Sequence, residues 1–189
     1  YLSNQGAANQ LFINNSASGT LNFTLTSAGV EKPLASFPTW IFDYNNDGLE
    51  DIFVSGYGYG KLTSAGLMLA GINKKGHPQR PYLYKNNGNG SFTDVSLQLG
   101  LNEPITTMGC NYGDLNNDGF LDFYLATGEP NLFSIVPNRM YLNDGGKQFK
   151  DVTYKSGFGH IQKGHAVGFG DLDNDGDQDI YAVMGGAYD

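Results

Sequence analysis

The sequence predicts an all-β protein, a β-propeller of four-stranded blades, and three observations predict it. A segment pattern recurs about every 57 residues, each copy reads as four short strands, and a nine-residue acidic loop returns at the same place in every copy. With 189 residues the chain suits one domain with an ample core. Its 27 glycines and 24 Tyr plus Phe residues favour short strands joined by tight turns.

The loops DYNNDGLED, DLNNDGFLD and DLDNDGDQD begin at Asp43, Asp114 and Asp171, 71 and 57 residues apart. A second motif recurs with them: Leu11-Phe12-Ile13-Asn14, Leu83-Tyr84-Lys85-Asn86 and Met140-Tyr141-Leu142-Asn143. From this motif to the next loop is 32, 31 and 31 residues, so the extra 14 residues of the first full copy fall within about 55–79. That stretch is Gly-rich and includes GYGYG and NKKGHPQR, and it reads as a loop insertion.

Within a unit, the first strand precedes the acidic loop, as in Met108–Tyr112 and Ala166–Phe169. The second follows it: Ile52–Val54, Phe123–Ala126 and Ile180–Val183, β-branched or aromatic runs too short for helices. The third is the Leu-Tyr-x-Asn motif, turning at Asn87–Gly90 or Asp144–Gly146. The fourth, Ser91–Val95 or Gln148–Thr153, alternates apolar with polar residues. No helix is expected between units, and a stacked β-solenoid, the alternative, has much shorter repeats. The expected organisation is a half blade at about 9–30, a blade at 35–97, a blade at 106–155 and a half blade at 164–185. That is about three blade equivalents, fewer than an ordinary propeller contains, and it starts at Tyr1 rather than Met. The expectation is either further chain or half blades completed by another copy.

Each loop carries carboxylates or amides at positions 1, 3, 5 and 9, and Ca²⁺ takes six to eight oxygen ligands, which alternate side chains and a backbone carbonyl can deliver. The expected ligand sets are Asp43, Asn45, Asp47 and Asp51 with the Leu49 carbonyl; Asp114, Asn116, Asp118 and Asp122 with that of Phe120; and Asp171, Asp173, Asp175 and Asp179 with that of Asp177. Gly48, Gly119 and Gly176 stand where the backbone must turn around an ion. An EF-hand shares the first six positions but needs Glu at position 12 and flanking helices; position 12 here is Val54, Leu125 or Ala182, inside strand patterns. Mg²⁺ demands a tighter octahedron and more waters, so three Ca²⁺ sites are expected, the third, with four aspartates, binding most tightly.

The formal charge of -8 argues against a nucleic-acid partner, and 10 of the 19 acidic residues fall at positions 1, 3, 5 and 9 of the three loops. No apolar run is long enough to span a bilayer. Catalytic residues are not expected: His77, His160, His165 and the single Cys110 belong to no GxSxG, HExxH or Walker pattern, and Cys110 reads as a buried strand residue. Three Asn-x-Ser/Thr triplets, at Asn14, Asn22 and Asn89, read as chance matches in an Asn-rich chain.

The DxDxDGxxD loop between first and second strands resembles the FG-GAP/VCBS repeats of integrin α-type propellers. The segments LYKNNGNGSFTDVSLQLGL and MYLNDGGKQFKDVTYKSGF are similar to the cartilage acidic protein and ASPIC/UnbV branch. The sequence departs at Asn45 and Asn116, where Asp is usual and the change weakens the sites, and at NFTLT, which stands where FxDVT is usual. The resemblance implies a calcium-stabilised propeller, usually of six or seven blades, in secreted or cell-surface proteins (the periplasm being the alternative compartment), used for adhesion-type binding of a protein or glycan. A subunit self-assembling through its end half blades is the second expectation. An accessory part of a secreted enzyme and a carbohydrate-binding propeller come after it.

Overall fold

The computed structural model describes residues 1–57, 63–73, 77–128 and 136–185. Four antiparallel sheets follow one another along the chain. The first pairs β1 (Leu11–Asn14) with β2 (Phe23–Thr26). The second runs β3 (Ser36–Phe42), β4 (Asp51–Gly56), β5 (Tyr82–Asn86) and β6 (Phe92–Asp94) in spatial order. The third repeats that meander with β7 (Thr107–Gly113), β8 (Asp122–Thr127), β9 (Arg139–Asn143) and β10 (Phe149–Asp151). The fourth pairs β11 (Gly164–Gly170) with β12 (Asp179–Met184). The register repeats as well: Ile52 faces Tyr84 as Phe123 faces Tyr141. NFTLT, despite its departure from the pattern, supplies β2.

The sheets pack face on face, and the strand period of two dictates how. Successive side chains of β4 point to opposite faces. Ile52 and Val54 join Leu11, Val30, Tyr82 and Tyr84 on the side of the first sheet. Phe53, between them, joins Leu83, Phe123, Leu125, Tyr141 and Phe149 on the side of the third. Trp40 stacks on Phe53, ring centroids 4.0 Å apart and planes 13° from parallel, closing that layer. The second strands β4 and β8 are buried along their whole length because a sheet covers each face. The outer strand β6 keeps Thr93 and Asp94 exposed, which suits a sheet edge.

One expectation is corrected. The insertion is not all loop: it contains α1 (Ser64–Asn73), a ten-residue helix. Thr63 caps it, its hydroxyl accepting from the Gly66 N–H at 3.1 Å and its carbonyl from the Leu67 N–H at 2.9 Å. Ala, Leu and Met supply the helix propensity. The apolar residues lie all round the helix, Leu67 buried while Met68, Leu69 and Ile72 are exposed, so no amphipathic period marks it. Residues 58–62 and 74–76, including parts of GYGYG and NKKGHPQR, lie outside the described residues. Cys110 is half-buried rather than fully buried, packed against the aromatic layer.

Candidate metal centres

Each acidic loop joins the first strand of a sheet to the second, and each folds by the same hydrogen bonds. The position-1 carboxylate bridges two backbone N–H groups. Asp43 accepts from Asp47 at 3.2 Å and Gly48 at 2.7 Å. Asp114 accepts from Asp118 and Gly119 at 3.0 and 2.8 Å, and Asp171 from Asp175 and Gly176 at 3.1 and 3.0 Å. The position-5 carboxylate accepts from the N–H two residues on, in Leu49, Phe120 and Asp177. The position-9 carboxylate, at the start of the second strand, reaches back to the N–H of Tyr44, Leu115 or Leu172. Among the described residues, only the third loop draws three of its carboxylates together, those of positions 1, 3 and 9. The turn needs left-handed backbone at two places: Gly48, Gly119 and Gly176 at φ 83°, 87° and 97°, and Asn46, Asn117 and Asn174 at φ 56°, 55° and 65°.

Sequence reasoning passed over that position-4 asparagine, although its recurrence in all three loops, and the tolerance of Asn for positive φ, was the available signal. The asparagine that ends the recurring third-strand motif has a part in the loop that its place in the motif did not show. The Asn86 N–H donates to Asp51 at 2.7 Å, and the Asn143 N–H to Asp122 at 2.7 Å. These bonds hold the second carboxylate oxygen from the neighbouring strand. Two loops also touch: the Asn46 side chain donates to the Gly119 carbonyl at 2.9 Å.

Do these groups suit calcium? The donor set is oxygen throughout, as a hard cation requires. In the third loop, carboxylate oxygens of Asp171, Asp173 and Asp179 lie within 4.8 Å of one another. In the first, Asn45 donates its amide N–H to Asp47 at 3.0 Å, but its carbonyl oxygen Oδ1 is buried with no hydrogen-bond partner among the described residues. An acceptor left unpaired costs free energy that a cation would recover. The residues fit the group: Asp43, Asn45, Asp47 and Asp51, and their counterparts, would hold Ca²⁺, with the carbonyls of Leu49, Phe120 and Asp177 completing each set.

Burial raises the carboxyls of Asp51 and Asp122 to about 6, against the backbone N–H bonds that pull them down. Lys85, then Asn45, hold Asp47 below the ordinary carboxylate range. Asp175 is held low, chiefly by the backbone N–H of Asp177, while Asp177 is pushed up by its hydrogen bond and charge contact with Asp175. A carboxyl whose native pKa exceeds its unfolded value of about 4 stabilises below that value, and the stabilisation is lost as pH rises through about 6. Burial lowers His77, which acts with the opposite sign in the same window, one group against two. In chelator the chain is therefore expected to melt higher at pH 5 than at pH 7.5, and calcium, which needs the ionised forms, to reverse that order. Melting scans at both pH values, with EDTA and with calcium, check both signs.

The opposite end of the sheets carries different chemistry. There the links from second to third strand, and from fourth strand to the next sheet, enclose a cavity of about 630 Å³. Its walls are mostly apolar, including Leu67 and Met68 of α1, Ile105, Pro137 and Tyr154. Arg139 stands on it, bonded to Asp151 at 2.7 Å and Glu103 at 3.2 Å. The histidines have local partners instead of a shared site: the His165 ring nitrogen lies 3.0 Å from the Gly185 carbonyl, and His77 accepts from the Gln79 N–H.

Successive four-stranded antiparallel sheets stacked face to face, each with the same loop between its first two strands, define a propeller-type repeat protein. The family model for FG-GAP-like repeats matches residues 43–125 and 127–182, and the chain belongs to that family. No curated protein matches the sequence. Among the described residues, no helix is long and apolar enough to cross a membrane.

Proposed function

We propose that this chain is a calcium-stabilised, extracellular binding module, non-catalytic, whose metal is structural. FG-GAP-like repeats make a propeller-like interaction module. The observation that carries the calcium reading is the buried Asn45 Oδ1, unpaired among the described residues, inside a loop that offers three carboxylates beside it. Extracellular calcium modules bind with Kd of about 10⁻⁴–10⁻³ M, so they fill only where free calcium is near millimolar. At about 1 mM each site then contributes roughly 0.4–1.4 kcal/mol, and three independent sites roughly 1–4 kcal/mol. That is a sizeable part of a total stability of about 5–15 kcal/mol.

The partner, a protein or a glycan, would meet the end of the sheets opposite the calcium loops. Connections there vary most freely, and the apolar cavity beside α1 offers concave surface. EDTA is expected to lower the melting temperature by several degrees, and 1 mM Ca²⁺ to restore it, with Mg²⁺ far less effective. Melting curves that coincide in EDTA and in calcium would sink the proposal.

A further inference from the structure

The first two loops differ in one respect that their own nine residues do not contain. In the first, the Lys85 ammonium is ion-paired with the Oδ2 of Asp47, the position-5 carboxylate. Lys85 comes from the third strand β5, 38 residues away in sequence. The same Asp47 oxygen also accepts from the Asn45 amide. The second loop repeats that amide contact, Asn116 to Asp118 at 2.9 Å. On β9, however, the residue equivalent to Lys85 is Leu142, which has no charge to offer. On β1 the same place is Ile13.

We infer that Lys85 is an internal competitor for calcium at the first loop, occupying a ligand carboxylate that the ion must take over and making this site weaker than the second. The inference rests on the calcium reading of the loops. A divalent ion bound by Asp47 would lie within a few ångströms of the ammonium. Repulsion between the two in a half-exposed setting is worth about a factor of ten in affinity, more at low salt than at high. The first and second loops carry the same residue types at positions 1, 3, 5 and 9, so their own residues rank them equal. Lys85 separates them, so the second loop fills before the first. The ammonium also lies 6.0 Å from the centre of the Tyr44 ring.

The first loop carries its own reporter, because Tyr44 stands at position 2 where the others have Leu115 and Leu172. Terbium luminescence excited through tyrosine reads this site, and Tyr44→Phe sets the background from Tyr112, two residues before the second loop. Terbium itself is titrated into the wild type, Lys85→Leu, Lys85→Gln and Lys85→Arg. Lys85→Leu and Lys85→Gln are expected to lower the terbium midpoint of the first-loop signal at least about tenfold, and Lys85→Arg to leave it near wild type. Should the leucine variant not fold, the glutamine variant decides. Unchanged midpoints in the neutral variants overturn the inference alone. A wild type with no terbium signal above background and no calorimetric calcium uptake overturns the calcium reading, and this inference with it.

Discussion

Phe123→Ala is expected to cost about 3–5 kcal/mol and to lower the melting temperature by roughly 10 °C. Phe123 is fully buried at the centre of the layer between the second and third sheets. Its ring centroid lies 4.8 Å from that of Phe149, 5.0 Å from Tyr141, 5.1 Å from Phe53 and 5.7 Å from Trp40. Four aromatic neighbours from both sheets lose a partner at once, and strands pinned by ladder hydrogen bonds cannot collapse into the gap. Truncating Leu97, which is 52% exposed, gives the matched control and is expected to change stability by about 0.5 kcal/mol or less. Thermal and urea unfolding measure both. A Phe123→Ala loss below about 1 kcal/mol would mean that the two sheets do not share this core.

The second large effect is expected at Gly109, where the third sheet meets the fourth. A Cβ added there would stand 2.2 Å from the carbonyl oxygen of His165 and 2.6 Å from its carbon, both backbone atoms of β11. Gly164 makes the reciprocal approach, its Cβ direction ending 2.4 Å from Ala126 Cβ. Two backbones this close leave no flexible side chain to give way. Gly109→Val is therefore expected to force the sheets apart and cost about 3 kcal/mol, at the upper end of overpacking effects. Gly168→Ala, on the same strand β11 with nothing within 4 Å of its Cβ, is the control, expected to cost about 1 kcal/mol or less. Equal melting temperatures for the Gly109 variant and wild type would place the seam elsewhere.

The two substitutions and the proposed calcium sites are connected through the same strands. Phe123 directly follows Asp122, the position-9 carboxylate, and Phe53 follows Asp51 after one residue. Aromatic packing thus sets the strand that presents the last ligand. Cavity mutations at Phe123 should weaken calcium retention at the second loop as well as the fold.

Much of this was legible in the residues because the forces concerned are local. The acidic loop is read from its own nine positions, with alternate oxygens and a glycine at the turn, and from position 12 just beyond them, which already belongs to a strand. Strand alternation at Ile52, Phe53 and Val54 likewise specifies two buried faces without any neighbour in view. The helix α1 escaped notice because Leu67, Met68, Leu69 and Ile72 give no one-sided pattern, and the surrounding glycines read as loop.

The sequence by itself determined the repeat, the strand order within each unit and the oxygens each loop can offer, since turn geometry and side-chain period act over a few residues. Only the tertiary structure decided which faces meet, why Gly109 must be glycine, that Asn46 reaches the next loop and that Lys85 rests on Asp47. Those contacts join groups 38 to 73 residues apart, and their distances follow from how twisted sheets pack, which no local pattern encodes.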